Sequence, residues 1–320
     1  MVQRILSFPE EVPWRRLQMV TNTPLLLSDG SIIDQPGYDV GMGIWFDAGK
    51  CSFPSIPEKP SRDDARKALE LYSSVYGQFP FATPDSYAAV LATILGIVVR
   101  HLLPTVPMLG ITAPEAGSGK TKIAESISAA TTGYLPSRIS YDETKEFDKH
   151  LPIPLMAGDR VVLVGNVDRK LVNSARLSMV LTTNGACRFR LLGETREQMV
   201  LNRSVFIATG NQLALAGDLP RRSLLAKLLP NAAQPEERSF SFGPVNRARE
   251  MFPELVVAVL TAARYYLQAG CPAPNYSKDV APESGSFEEW NRIVRGLARF
   301  RYSASTCRIN RPFYGWQSSI

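Results

Sequence analysis

Residues 110–124 read Gly-Ile-Thr-Ala-Pro-Glu-Ala-Gly-Ser-Gly-Lys-Thr-Lys-Ile-Ala, and no other stretch constrains the fold as tightly. An apolar run, Val106 to Ile111, leads in as a buried strand would. Gly117 and Gly119 let the main chain turn inward so that its N–H groups converge. Lys120 to Ala130 is a good helix former, and its N-terminus brings the positive end of a helix dipole to the same place. Converging amides, a dipole and a lysine suit a phosphate group. The pattern is the phosphate-binding loop G-x-x-x-x-G-K-[ST] with one departure, Pro114 at the first Gly. Pro114, Glu115, Ala116, Gly117, Ser118, Gly119, Lys120, Thr121 and Lys122 are therefore expected to cradle ATP. Lys120 would face the β/γ-phosphates, and the Thr121 hydroxyl would meet Mg²⁺. A chance glycine turn is the competing explanation, and a strand before and a helix after weigh against it.

The chain has 320 residues, 45% hydrophobic and 21% charged, enough for one large or two small domains with a core. Its net charge of +6 is compatible with a nucleic-acid partner without requiring one. Cys51, Cys187, Cys271 and Cys307 lie far apart, which fits isolated thiols in a reducing compartment better than a zinc site or a disulfide framework. His101 and His150 are unpaired and read as structural or solvent-facing. The N-terminus has no basic stretch followed by an apolar core, so no signal peptide is expected. The most apolar segment, Tyr87 to Leu103, is broken by Thr93, Gly96, Arg100 and His101 and reads as a buried helix. The expectation is a cytoplasmic protein with no membrane partner.

Four segments follow from the patterning. Residues 1–60 read as β-structure and turns, with a hairpin around Asp29-Gly30, a turn at Pro36-Gly37-Tyr38-Asp39, and a linker at Pro54, Pro57 and Pro60. Residues 61–104 read as helical: a capping box at Ser61 to Asp64 opens a helix to about Tyr76, and Thr83-Pro84 opens another to about Leu103. Residues 105–250 read as the nucleotide-binding core, with strands at Val106–Ile111, Arg160–Val164, Cys187–Leu192 and Val205–Ala208. Helices are expected at Lys120–Ala130, Tyr141–Leu151 and Leu171–Leu181. Such alternation predicts an α/β fold with a parallel sheet covered by helices on both faces. Residues 251–320 read as a lid helix (Glu254–Gln268), a Pro/Ser/Gly-rich loop (270–287), a helix (Phe287–Phe300) and an aperiodic tail.

Hydrolysis needs more than the loop. An acid at the tip of a neighbouring strand holds the Mg²⁺ water shell and activates the attacking water. Gly165 stands at the tip of the Val161–Val164 strand where an Asp is expected, and Asp168 is the nearest carboxylate beyond it. Either Asp168 reaches back as catalytic and metal-holding acid, or it caps the following helix. Glu143 and Glu146 come next. Asn211 follows the third strand in Thr209-Gly210-Asn211, where an amide can hold the attacking water. Arg221 and Arg222 follow in Asp218-Leu219-Pro220-Arg221-Arg222, where a guanidinium could reach a neighbouring subunit's γ-phosphate.

These motifs occur in a fixed order, together with Ala157-Gly158-Asp159-Arg160 to Val167, Leu192-Gly193, Ala208 to Leu213 and Pro235-Glu236-Glu237-Arg238-Ser239-Phe240. In that order the chain, from about residue 20 to about residue 300, resembles the ATPase part of prophage, plasmid and integrative-element primase–helicases. These are ring-forming P-loop ATPases close to superfamily-three and AAA+ helicases. The resemblance implies a Walker A role for Lys120 and Thr121, a sensor role for Asn211 and an arginine-finger role for Arg221 or Arg222. It departs at Gly165, in the polymerase domain that such proteins often carry upstream, and after Phe300.

The expected function is an ATP-driven motor on single-stranded DNA, assembled as a ring, with replication or mobile-element proteins as possible partners. Arg169, Lys170, Arg176 and the strand Arg188–Arg190 could line the DNA path, or be ordinary solvated surface. An ATP-binding scaffold with little hydrolysis is the alternative, and a small-molecule kinase would need an acceptor site the sequence does not reveal.

Overall fold

The computed structural model describes residues 15, 17–165, 167, 171–190, 197–230, 242–272 and 285–301. Near the N-terminus, β1 (Met19–Thr21) pairs with β5 (Ile44–Phe46) in parallel. The expected hairpin forms from β2 (Leu25–Leu26) and β3 (Ile32–Ile33). Asp29 makes its turn, accepting from the Ser31 amide at 2.9 Å, while Gly30 sits at φ 86°, where a side chain would be strained. The turn expected at Pro36–Asp39 is instead strand β4 (Gly37–Asp39), antiparallel to β5. Residues 47–60 carry no regular element, as their prolines predict. They are nevertheless tied down, because Arg264 and Gln268 donate to the Pro57 and Glu58 carbonyls.

Helix α1 (Arg62–Glu70) opens on the predicted capping box: Ser61 Oγ accepts from the Asp64 amide and Asp64 accepts from the Ser61 amide. It does not run to Tyr76. Ser73 and Ser74 turn their hydroxyls onto the Glu70 and Leu71 carbonyls, and the chain re-forms as the short α2 (Ser73–Tyr76). Helix α3 (Pro84–Val98) starts at its Thr83 cap, and from Ala88 on it is almost wholly apolar and buried on every side.

The main sheet comprises β6 (Met108–Ala113), β7 (Ser137–Ser140), β8 (Val161–Gly165), β12 (Val205–Asn211) and β14 (Ser223–Lys227). The order is β14-β6-β12-β8-β7 and every pairing is parallel. Its residues alternate between two cores. Leu109, Ile111, Val161, Leu163, Val205 and Ile207 pack with α3, α4 (Lys120–Thr132) and the later helix Phe252–Gln268. Val162, Val164, Phe206 and Ala208 pack on the other face with α5 (Thr144–His150), α6 (Pro152–Ala157), α7 (Ala175–Thr182) and a hairpin of β10 (Ala186–Arg190) and β11 (Glu197–Leu201). The fold is thus mixed α/β, a parallel five-stranded sheet flanked by helices.

Two further expectations are corrected. Leu171-Val172 is strand β9, paired with β13 (Ala214–Leu215), and α7 starts only after Ser174, whose hydroxyl caps the Leu177 amide. The segment Glu254–Gln268 is no lid: α8 (Pro244–Glu250) leads into α9 (Phe252–Gln268), whose Leu255, Val259, Leu260, Ala262 and Ala263 are fully buried in the main core. Most of the expected loop 270–287 and the tail beyond 301 lie outside the described residues, as does the Pro235–Phe240 motif. Among the described residues no helix is long and apolar enough to cross a membrane.

A cationic cluster closes the end of α3. Arg160 donates to the Ile97 carbonyl at 3.1 Å, Arg100 to the Leu103 and Asn202 carbonyls, and His101 Nε2 to the Leu26 carbonyl at 2.6 Å. Arg160 thereby satisfies a carbonyl in the last turn of α3, and the bonds to Leu26 and Asn202 tie the chain beyond that helix to β2 and to the loop after β11. Burial lowers the His101 pKa to about 4; the Leu26 bond opposes that shift, while Arg160, Arg203 and Arg100 add to it. The folded value lies below the ordinary 6.5, so the neutral ring is favoured. Its stabilisation is complete above pH 6.5 and lost as pH falls towards 4. Within that window wild type should lose about 1.4 kcal/mol per pH unit more than His101→Gln, which keeps a donor for Leu26. Parallel melting-temperature profiles for the two proteins would contradict this.

Candidate functional site

Strand β6 ends at Ala113, and the chain re-enters helix at Lys120. Between them Gly117 sits at φ 70° and Gly119 at φ 87°, both in the left-handed region that glycine tolerates. Pro114 has no such backbone, so a proline fits where the pattern asks for glycine. Ser118 Oγ donates to the Glu115 carbonyl at 2.6 Å and holds the turn closed. The 13-residue α4 begins on Gly119 with no side-chain cap, so its first amides depend on something else for partners. Pro114 to Gly117, Thr121 and Lys122 are exposed at this end.

Lys120 is buried and folded back across the turn. Its Nζ donates to the Glu115 carbonyl at 3.0 Å and to Asn211 Oδ1 at 2.6 Å. Strand alternation explains the meeting: Asn211 ends β12 in register with Ala113, on the face that carries Val205, Ile207 and α4. The following turn is sewn to β6, the Gln212 amide onto the Ala113 carbonyl and the Leu213 amide onto Thr112 Oγ1, both at 3.0 Å. Gly210 faces the other way, and a Cβ there would stand 2.8 Å from Val167, so the chain leaving β8 lies against β12 at a place only glycine allows. Sequence reasoning overlooked Thr112 and Gly210. Gly210 in Thr-Gly-Asn was the available signal, a glycine inside a strand pattern.

Gly165 ends β8 on the α4 side of the sheet, and a Cβ built there meets nothing within 4 Å. The missing acid is therefore not excluded by crowding. Asp168 lies outside the described residues, with Asn166, Arg169 and Lys170. Glu146 is turned into an exposed pair with Lys149 at 2.5 Å, and the Lys149 ammonium lowers its pKa. Glu143 is exposed just ahead of α5.

The arginine pair does not join Lys120 and Asn211. Arg221 and Arg222 close a short turn before β14, whose first residue pairs with Met108, at the opposite end of the sheet. Arg221 is exposed and paired with Asp218 at 2.9 Å. Arg222 is half-buried, bonded to the Ser178 carbonyl and to Asp218 at 2.9 Å; burial lowers its pKa and Asp218 opposes that. Of the basic residues considered for a nucleic-acid path, Arg176 stacks on Phe189 and donates to the Asp148 carbonyl. Arg188 and Arg190 stand exposed on β10.

No family model matches the chain and no curated protein does. Solved structures show partial similarity to it. The apo C-terminal region of NrS-1 is 12% identical, with a TM-score of 0.42 over 81% of this chain and 57% of that one. The SCCmec type IV protein Cch, described as an active helicase, is 13% identical, with a TM-score of 0.38 over 88% of this chain and 55% of that one. The JCV helicase is 14% identical, with a TM-score of 0.30 over 76% of this chain and 67% of that one. The chain spans little more than half of the first two, and at such identities no residue role passes from them to this chain.

Proposed function

We propose that the chain is an ATP-binding and hydrolysing motor acting on single-stranded DNA as a ring of copies, in the cytoplasm and in mobile-element replication or a related process. The observation that carries it is the uncapped N-terminus of α4 behind the Gly117–Gly119 turn, with Lys120 held over it by Asn211. The main-chain amides of this turn would bind phosphate oxygens, and Lys120 would exchange the Glu115 carbonyl and Asn211 for the β/γ-phosphates. That exchange would free the Asn211 amide to hold the attacking water. A bound Mg²⁺ would supply divalent charge to offset that of the phosphates, with the Thr121 hydroxyl as its holder on this chain. The donor set suits it, because Thr121 is exposed on the first turn of α4. Arg188 and Arg190 on β10 are placed to meet DNA phosphates, a contact that weakens with salt. The test is ATP turnover with and without single-stranded DNA on a preparation of known oligomeric state. Turnover that DNA does not change argues against the motor.

A second reading keeps the nucleotide and drops most of the hydrolysis: an ATP-dependent scaffold that recruits partner proteins. Gly165 favours it. The two readings separate on Gly165→Asp. If no other acid serves, wild type turns over slowly and Gly165→Asp raises the rate, since the space for the carboxylate is open. If Asp168 serves, Asp168→Asn lowers turnover strongly while ATP still binds.

A further inference from the structure

The site just proposed has a carboxylate near it that strand spacing alone does not reveal. On β8, Val161 and Leu163 share a core with Ile123 and Ile127 of α4, while Val162 and Val164 belong to the other core. Gly165 is therefore the next position on the α4 face. Strand β7 lies beside β8 in parallel register, Arg138 opposite Leu163 and Ser140 opposite Gly165. Arg138 forms an ion pair with Glu125 of α4, so β7 presents Arg138 and Ser140 to that helix.

Heights then follow from the two repeats. Helix α4 starts where β6 ends and runs back along the sheet. From Glu125 to Thr121 is one turn on the same helix face, about 6 Å towards the site. From Arg138 to Ser140, and from Leu163 to Gly165, is about 6.6 Å in the same direction. Ser140 and Gly165 thus stand side by side at the strand ends, and Thr121 lies one turn beyond Glu125 in the same direction.

Asp142 is anchored at that level. Ser140 Oγ donates to Asp142 Oδ2 at 2.7 Å, and the Tyr141 amide donates to the Gly165 carbonyl at 2.9 Å. Tyr141 turns into the opposite core, where its hydroxyl meets Thr144 Oγ1 at 2.7 Å and accepts from the Asn173 amide at 2.9 Å. The buried ring locks residues 140–142 against the tip of β8, and the bond from Ser140 holds the Asp142 carboxylate beside a residue of the α4 face. The Gly165 position between leaves open space.

We propose that Asp142, held by Ser140, orders the water shell of a divalent cation at Thr121 and so takes the part of the acid missing at Gly165. Asp142 is a positioning residue: it acts through water on a cation, and its anionic charge is what matters. The inference rests on the nucleotide reading above.

The experiment is a Mg²⁺ titration of fluorescent ADP binding to the full chain, for wild type, Asp142→Asn and Asp168→Asn. The amide still accepts from Ser140, so the fold is kept and only the charge is lost. Asp142→Asn should raise the half-saturating Mg²⁺ concentration about tenfold, in the range for residues that support a metal through its ligands. Its ADP affinity in chelator should match that of wild type. An unchanged Mg²⁺ requirement in Asp142→Asn overturns the proposal and leaves the nucleotide reading intact. So does an increase confined to Asp168→Asn. Wild type that binds no nucleotide at any Mg²⁺ concentration overturns both.

Discussion

Lys120→Ala is expected to abolish tight ATP binding. The side chain is buried, and its ammonium is held at 3.0 Å from the Glu115 carbonyl and 2.6 Å from Asn211 Oδ1. Those are two neutral acceptors, and a phosphate oxygen is a charged one. Against phosphate the ammonium gains a charge–charge attraction that neutral acceptors cannot supply, so it gains by moving to the nucleotide. Truncating one partner of a buried charged contact costs about 2–5 kcal/mol. At about 1.4 kcal/mol per tenfold, the loss of affinity is about 30- to 4,000-fold. Calorimetric titration with a slowly hydrolysed ATP analogue measures it directly. Lys120→Gln is the control, because it retains a donor for Asn211 and lacks the charge. It should bind as poorly as Lys120→Ala while melting closer to wild type. Unchanged affinity in Lys120→Ala would remove the phosphate-loop assignment.

The core of the fold was legible where sequence patterns are strong. Three central strands are continuous apolar runs, which is what a sheet buried on both faces demands. The Asp29-Gly30 hairpin and the Ser61–Asp64 capping box were legible because their side-chain chemistry is local. The edges were not. Ser137-Arg-Ile-Ser and Ser223-Leu-Leu-Ala-Lys are short and largely polar or exposed, and they become strands only because β8 and β6 offer them partners. Leu171-Val172 was absorbed into the following helix for the same reason, its partner β13 being more than forty residues away. The lid expectation for α9 failed on burial: Leu255 to Ala263 read as a good helix, and nothing local says that every face of it is covered.

At the site, the Lys120–Asn211 pairing was half legible. Each residue stood out by motif, but their contact depends on β12 lying beside β6, which is topology. Asp142 was invisible, since its place follows from the register of β7 on β8 and from a serine hydroxyl. Arg221 and Arg222 looked equivalent in sequence, and the structure separates them.

That separation shapes the other large effect. The register of Ser223 with Met108 puts the pair at the start of β14, whereas the glycine turn follows Ala113 at the other end of β6. Five strand residues intervene, about 16 Å, so neither arginine serves the Lys120 site of its own chain. A catalytic role for them requires a second copy. Arg221 is the better placed. Its pair with Asp218 is exposed, and such pairs are worth about 0–1 kcal/mol, so it can leave Asp218 for a neighbour's phosphate at little cost. Arg222 is half-buried and donates to the Ser178 carbonyl of α7, which also accepts from Thr182 Oγ1, so removing it loses a partly buried charged contact. Arg221→Ala should therefore bind ATP like wild type and lose about 10³-fold in turnover, the scale of an arginine finger. Arg222→Ala should also spare ATP binding and cut turnover if it is the finger, and should lower the melting temperature in either case. Mixing Arg221→Ala with Lys120→Ala should restore part of the activity, because some interfaces then join an intact Lys120 to an intact Arg221. Full activity in a protein that stays strictly monomeric would exclude a finger supplied across a subunit boundary.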